Sequence, residues 1–223
     1  MILYDAHHLA PCYAVRLLAG CLGVTLELEP LDVYPGHANQ TEAFLALNPL
    51  GTLPVLVDGP CIITDWLEAL AHLALTHDRA WFPAEHAALI GWLGMARDLG
   101  ASAGAARLID TFGAPGDAAA ARAQANALLD EVERRLWFSE RGFGERGFSE
   151  RGFGERIGQD WLIEGPHPSI ADLACFVFIA PCEDGGLSLR DRPALRRWCD
   201  RVRFLPGFVS MSGVFPPMAN TGR

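Results

Sequence analysis

The sequence predicts a small α/β layer with a sheet of four strands, followed by an all-helical half. Two observations carry this. Strand-like runs, short and apolar or alternating, occur only in the first 63 residues and are interleaved with helical patterns in the order β-α-β-α-β-β-α. After Phe82-Pro83 the strand signals stop and only helical spacing remains, so a boundary falls near residue 82, between domains at 1–80 and 84–212.

Each element has a local reason. Residues 2–4 form an apolar run suited to a buried strand. Pro11 opens a helix in which Cys12, Val15, Leu18 and Leu22 share a face, and Gly23 closes it. Residues 25–29 alternate as a second strand. Residues 39–47 read as a short helix closed by the turn Asn48-Pro49-Leu50-Gly51. Residues 54–57 and 61–63 are strands joined across Asp58-Gly59-Pro60 as a hairpin. A helix over 65–75 completes the layer. Beyond it, residues 85–110, 117–136, 169–180 and 193–204 carry helical patterns.

Residues 137–156 read WFSER-GFGER-GFSER-GFGER, four pentapeptides in tandem. A period of five matches neither helix nor strand, and the repeated glycines oppose a stable helix. One Glu and one Arg per unit leave the tract neutral, without the charge that nucleic-acid binding needs. We expect 137–158 to be a surface insertion in the helical half, dispensable for folding.

Composition narrows the function. Of the 223 residues, 50% are apolar and 20% charged, which suits a globular chain with a proper core. The formal charge of −9 argues against nucleic-acid partners and against an anionic membrane surface. All 18 cations are arginine, which removes Schiff-base and P-loop lysine chemistry. The cysteines at 12, 21, 61, 175, 182 and 199 show no C-x-x-C pair and no zinc spacing. With no signal segment and no apolar run long enough to span a bilayer, the expectation is a cytoplasmic protein with reduced thiols.

Several residues are candidates for chemistry. Cys12 sits in the first turn of the first helix, where unpaired N–H groups and the helix dipole favour a thiolate; the alternative is a small apolar residue packing that helix on the sheet. Leu53-Pro54 either simply begins a strand or forms a cis-proline turn that exposes the Leu53 backbone to an extended peptide. Asp65, with Glu68 three residues on, fits a helix cap, and the same helix N-terminus offers N–H groups to a carboxylate. Trp66 beside it is expected to be partly exposed. His7-His8 follow the first strand and are either solvated or an acid–base pair. Ser169-Ile170-Ala171-Asp172 is a capping motif assigned to folding.

Taken together, the segments Pro11-Cys12-Tyr13-Ala14-Val15-Arg16, Asn48-Pro49-Leu50-Gly51-Thr52-Leu53-Pro54-Val55-Leu56, Ile62-Ile63-Thr64-Asp65, Pro168 to Asp172 and Pro193 to Phe208 resemble those of bacterial glutathione S-transferases. The resemblance implies a thioredoxin-like N-terminal domain, an all-α C-terminal domain and a homodimer. It implies glutathione as co-substrate along the first domain and a small-molecule electrophile in the cleft between the two. By position, Leu53 before cis-Pro54 would pair with the cysteinyl backbone, and Asp65 with Trp66 would face the γ-glutamyl end. For the thiolate, Cys12 is the favoured partner, and Tyr4, ending the first strand, is the second. Trp92, Met95 and Leu99 would form an apolar cleft wall. Trp66 stands where similar sequences have Ser, Leu9 and Pro11 where they often have Ser and Asn, and Thr52 replaces a longer polar residue near the tripeptide. Loss of one hydroxyl–carboxylate bond would weaken glutathione roughly 10- to 150-fold. The expected function is therefore conjugation of glutathione to an electrophile. A non-catalytic binding or scaffold protein, a disulfide reductase and a glutathione-dependent isomerase are the alternatives on the same fold.

Overall fold

The parallel step between the first two strands sets the architecture. In the computed structural model, which describes residues 1–84, 86–141, 160–211 and Val214, β1 (Ile2–Asp5) pairs parallel with β2 (Glu27–Pro30), placing Leu3 beside Leu28. A parallel pair needs a crossover, and α1 (Ala10–Leu22) supplies it. On its other side β1 pairs antiparallel with β3 (Val55–Asp58), and β3 forms the expected hairpin with β4 (Cys61–Ile63). The sheet order is β2-β1-β3-β4. β2 begins two residues later than its alternating pattern predicts, and all four of its residues are exposed, as its place on the sheet edge dictates.

Strand alternation then assigns helices to faces. Leu3 and Asp5 are buried on the face covered by α1 and by α3 (Trp66–His77). Tyr4 points the other way, onto Phe44 of α2 (Glu42–Leu47), with ring centroids 5.9 Å apart. α2 starts three residues later than expected because the Thr41 hydroxyl accepts the Phe44 N–H and caps it there; a 3₁₀ turn, Ala38–Gln40, precedes it. The Leu53–Pro54 peptide is cis.

Among the described residues no strand follows β4, apart from an isolated bridge between Met211 and Val214. α4 (His86–Leu99) runs through a π-helical stretch, Gly100–Gly104, directly into α5 (Ala105–Phe112). α6 (Ala118–Arg141) starts from the Asp117 carboxylate, which accepts the Ala119 and Ala120 N–H groups, and it continues past its expected end at residue 136. The repeat from residue 142 to 156 lies outside the described residues. α8 (Pro193–Arg203) has a cap from a neighbouring helix: the Glu133 carboxylate of α6 accepts the N–H groups of Ala194 and Leu195.

The centre is α7 (Ile170–Ile179), in which every residue is buried. It packs on α1 from one side and α4 from the other, so a single core runs through both halves. Each large apolar side chain buried there contributes about 1.5–3 kcal/mol. Its one carboxylate is spent on folding. Asp172 is fully buried and accepts four hydrogen bonds, from the N–H groups of Leu162 and Ser169, the Ser169 hydroxyl and the Trp198 indole.

Candidate functional site

A cleft of about 320 Å³ opens where the β1–α1 loop, the first residue of α3, the α4–α5 helix and α7 meet. Its apolar floor is Trp66 set edge-on against Phe178, at 5.7 Å between centroids and 76° between planes. Two glycines make room for that ring. A Cβ on Gly100 would lie 3.1 Å from Phe178 Cζ, and one on Gly104 3.0 Å from its Cδ1, closer than side chains normally approach. The π-helical stretch between them turns Arg97, Gly100, Gly104 and Leu108 to the cleft. Trp92, Met95 and Leu99, the expected cleft wall, do not line it. Trp92 and Leu99 are buried in the core instead, with Arg135 stacked 5.0 Å over the Trp92 ring. The expectation had the right helix and the wrong face.

The polar lining consists of His8, Arg97 and Arg107. Arg97 donates to Asp65 Oδ2 at 2.7 Å. Arg107 is only 5% exposed; its Nε donates to Asp184 at 3.2 Å and its Nη1 to the His8 carbonyl at 3.1 Å. The turn Cys182–Gly185 presses so closely on α5 that a Cβ on Gly185 would come within 2.7 Å of the Arg107 nitrogen, and this approach puts Asp184 beside the guanidinium. His8 packs on Phe112 at 4.8 Å. Burial, and after it the Arg107 charge, hold its pKa below the ordinary histidine value.

α1 begins beside this cleft without a side-chain cap, because Leu9 holds the N-cap position and Pro11 follows. The Tyr13 N–H bonds to the Leu9 carbonyl, whereas the N–H groups of Ala10 and Cys12 have no partner among the described residues. The positive end of a thirteen-residue helix therefore borders the cleft through Ala10 and Pro11, with two orphan donors in its first turn.

The Cys12 thiol takes no part in this. It is fully buried, accepts the Ala6 N–H at 3.5 Å, and is pushed up to about 12, first by burial and then against the help of that bond. The expected low-pKa thiolate is corrected: the dipole of a helix start lowers a pKa only where the charged form stays solvated, and here desolvation wins. Asp5 and Arg16 lie beside it as a buried pair, and Arg16 also donates to the His7 carbonyl, so this group ties down the loop. Tyr4 is not at the cleft either, since strand alternation sends it to the α2 face.

Leu53 is half-buried, and its N–H and C=O have no partner among the described residues; Pro54 is buried. Asp65 caps α3, its Oδ1 accepting the Leu67 and Glu68 N–H groups, while Oδ2 holds Arg97. Burial alone would raise its pKa, but the Arg97 bond and the backbone donors together hold it below the usual carboxylate value. Trp66 is half-buried and lines the cleft, as His8 does, whereas Cys12, Tyr4, Leu53, Pro54 and Asp65 do not. Arg97, Arg107 and Phe178 were not singled out from sequence. Arginines at 97 and 107 bracketing glycines at 100 and 104 are the signal that would have found that face. Among the described residues no group of side chains could hold a metal ion, and no helix is long and apolar enough to cross a membrane.

The sequence profile described as "Glutathione S-transferase, N-terminal domain" matches residues 12–76. Glutathione S-transferase 2 of Anopheles gambiae is 39% identical over 77 residues, which are 33% of this chain and 36% of the mosquito protein, so the matched stretch spans about a third of that relative. The likeness in structure extends much further. A glutathione S-transferase from Pseudomonas fluorescens superposes with a TM-score of 0.78 at 25% identity, covering 94% of this chain and 98% of that one. One from Xanthobacter autotrophicus superposes at 0.77 and 23% identity, covering 97% and 96%. A thioredoxin-like layer matched in sequence is joined to a helical half matched in fold: residues 12–76 form a glutathione S-transferase N-terminal domain, and the chain has the glutathione S-transferase fold.

Proposed function

We propose that this protein is a glutathione transferase, which binds glutathione against the thioredoxin-like layer and conjugates its thiolate to a small electrophile held in the cleft. The observation that carries the reading is the uncapped start of α1: Ala10 and Pro11 line an apolar cleft, and the Ala10 and Cys12 N–H groups have no partner among the described residues. A glutathione thiol of ordinary pKa is largely protonated at pH 7, and lowering it by two units takes about 2.7 kcal/mol of preferential thiolate stabilisation. Charge-assisted bonds from backbone donors are worth about 1.5–3 kcal/mol each. Two of them meet the need without a side chain, so Cys12 serves the thiolate through its main-chain N–H.

The residues present fit the tripeptide along the main chain. The unpartnered Leu53 N–H and C=O suit an extended peptide, which would add as a short antiparallel strand. The first turn of α3 offers the Trp66 N–H to the γ-glutamyl carboxylate. Asp65 is the tight point, because one oxygen caps the helix and the other holds Arg97. That commitment, with an indole where a hydroxyl is expected, favours a second reading: a member of the family that binds ligands without turnover. We also propose a homodimer on the family pattern.

Calorimetric titration with glutathione and with an S-alkyl glutathione, followed by a panel of electrophiles, separates the readings. The transferase reading expects glutathione binding and saturable conjugation. Binding of the S-alkyl conjugate without turnover of any electrophile supports the second reading, and no binding of either defeats both. Light scattering giving a monomer mass at micromolar concentration defeats the dimer.

A further inference from the structure

We propose that the electrophile accepted by this cleft carries a carboxylate on a small apolar body, and that Arg107 is the residue that anchors it. The inference rests on the transferase reading for its chemistry, but the anchor itself is read from the cleft. Every charged or strongly polar side chain lining the cavity is a cation or an imidazole, namely His8, Arg97 and Arg107. No carboxylate, amide or hydroxyl side chain is among them, so the lining offers donors where a ligand must bring acceptors.

Arg107 is distinguished by burial. At 5% exposure it is almost withdrawn from water, yet among the described residues its hydrogen bonds are the two to Asp184 and the His8 carbonyl, beside the Phe112 ring 5.8 Å away. A guanidinium has five N–H donors. Its Nη2 has no partner among the described residues and is not sealed from solvent, so its donors open to the cavity that the residue lines. Desolvating a charged fork with donors unspent is costly unless an acceptor arrives. The two bonds also fix the fork, so little conformational freedom remains to be lost when a carboxylate docks on it. Its counter-charge, Asp184, is 39% exposed and partly screened, whereas Arg97, ten residues earlier on the same continuous helix, is 56% exposed and closed on Asp65. Arg107 is therefore the anchor, and Arg97 belongs to the mouth.

The rest of the cavity fits the body of such a substrate. Leu9, Leu108, Val177 and the Trp66–Phe178 pair supply flat apolar walls, and about 320 Å³ is at the small end for a ligand site, suited to a single ring. With a 4-chloro-3,5-dinitrobenzoate as probe, the glutathione sulfur forms a bond to the ring carbon bearing chlorine. The C–Cl bond breaks, its electron pair leaves as chloride, and the carboxylate on Arg107 is unchanged.

The test compares acid with amide. Calorimetry measures binding of 3,5-dinitrobenzoate and 3,5-dinitrobenzamide without glutathione, and kcat/KM is measured with glutathione for the two 4-chloro analogues, each corrected for its uncatalysed rate. We expect the acid to be preferred by at least about tenfold in both, and Arg107→Gln to reduce that preference by about 10- to 150-fold. Arg107→Lys keeps the charge, loses the fork and should retain part of the preference. It also serves if the Gln variant fails to fold by circular dichroism. Equal binding of acid and amide to the unaltered protein overturns the proposal, as does a preference that survives in Arg107→Gln. Acid-selective, Arg107-dependent binding with no conjugation of either chloro compound upholds the anchor while the transferase reading fails.

Discussion

Replacing Asp172 with alanine tests the hub on which the helical half is assembled. The carboxylate is fully buried, and its two oxygens accept four donors: Leu162 N–H at 2.9 Å, Ser169 N–H at 2.9 Å, Ser169 Oγ at 3.0 Å and Trp198 Nε1 at 3.0 Å. The Ser169 hydroxyl can rotate to another acceptor, but two backbone N–H groups and an indole N–H would be left buried and unpaired. Each such orphan costs about 1–3 kcal/mol. Removing the carboxylate also relieves its own desolvation, the burial that raises its pKa. Netting these, Asp172→Ala should cost about 3–5 kcal/mol. For a chain of this length that is a fall in melting temperature of about 6–20 °C. Asp172→Asn retains one oxygen for two of the donors and turns an NH₂ toward the others, so about half the loss is expected. Urea unfolding followed by tryptophan fluorescence reads both, and Trp198 reports the site directly. A loss under about 1 kcal/mol for the alanine variant would refute the reasoning, because the donors would then have found other partners.

Three further expectations follow from the site. In native protein a thiol reagent should label exposed Cys61 but not Cys12, Cys175 or Cys199, and Cys12→Ala should leave conjugation unchanged within error; loss of turnover would return the thiol to the mechanism. Because the folded pKa of His8 lies below 6.5, its contribution to stability is fully present above that pH and is lost as pH falls through the folded value. Urea midpoints measured from pH 7 to 5 should therefore fall less steeply in His8→Gln, and identical slopes would count against burial of the neutral ring. Trp66→Ser should tighten glutathione by about 5- to 30-fold through a restored hydroxyl donor, at some cost from the lost edge contact with Phe178. Weaker binding, measured calorimetrically, would make the indole itself a ligand contact.

What the sequence determined by itself was local. Pro11 starting a helix, Asp65 as a side-chain cap, the hairpin at Gly59 and the Ser169–Asp172 box all depend on neighbours a few residues away, and each lies within a residue or two of where its motif puts it. The switch from strands to helices was legible for the same reason, since periods of two and 3.6 are written into consecutive residues. Which way a side chain faces was not. Cys12 has the sequence environment of a reactive thiol, yet α1 lies against the sheet in the phase that buries its side chain. Tyr4 was separated from the cleft by the alternation of β1 between two covered faces. The cleft wall on α4 and α5 was decided by the π-helical stretch and by the seating of Phe178 over Gly100 and Gly104, with the arginines facing the cleft and Trp92 in the core. Helix phase relative to another element is fixed by packing between residues far apart in the chain, here α4 with α7 and α1 with α7, and only the tertiary structure holds that information.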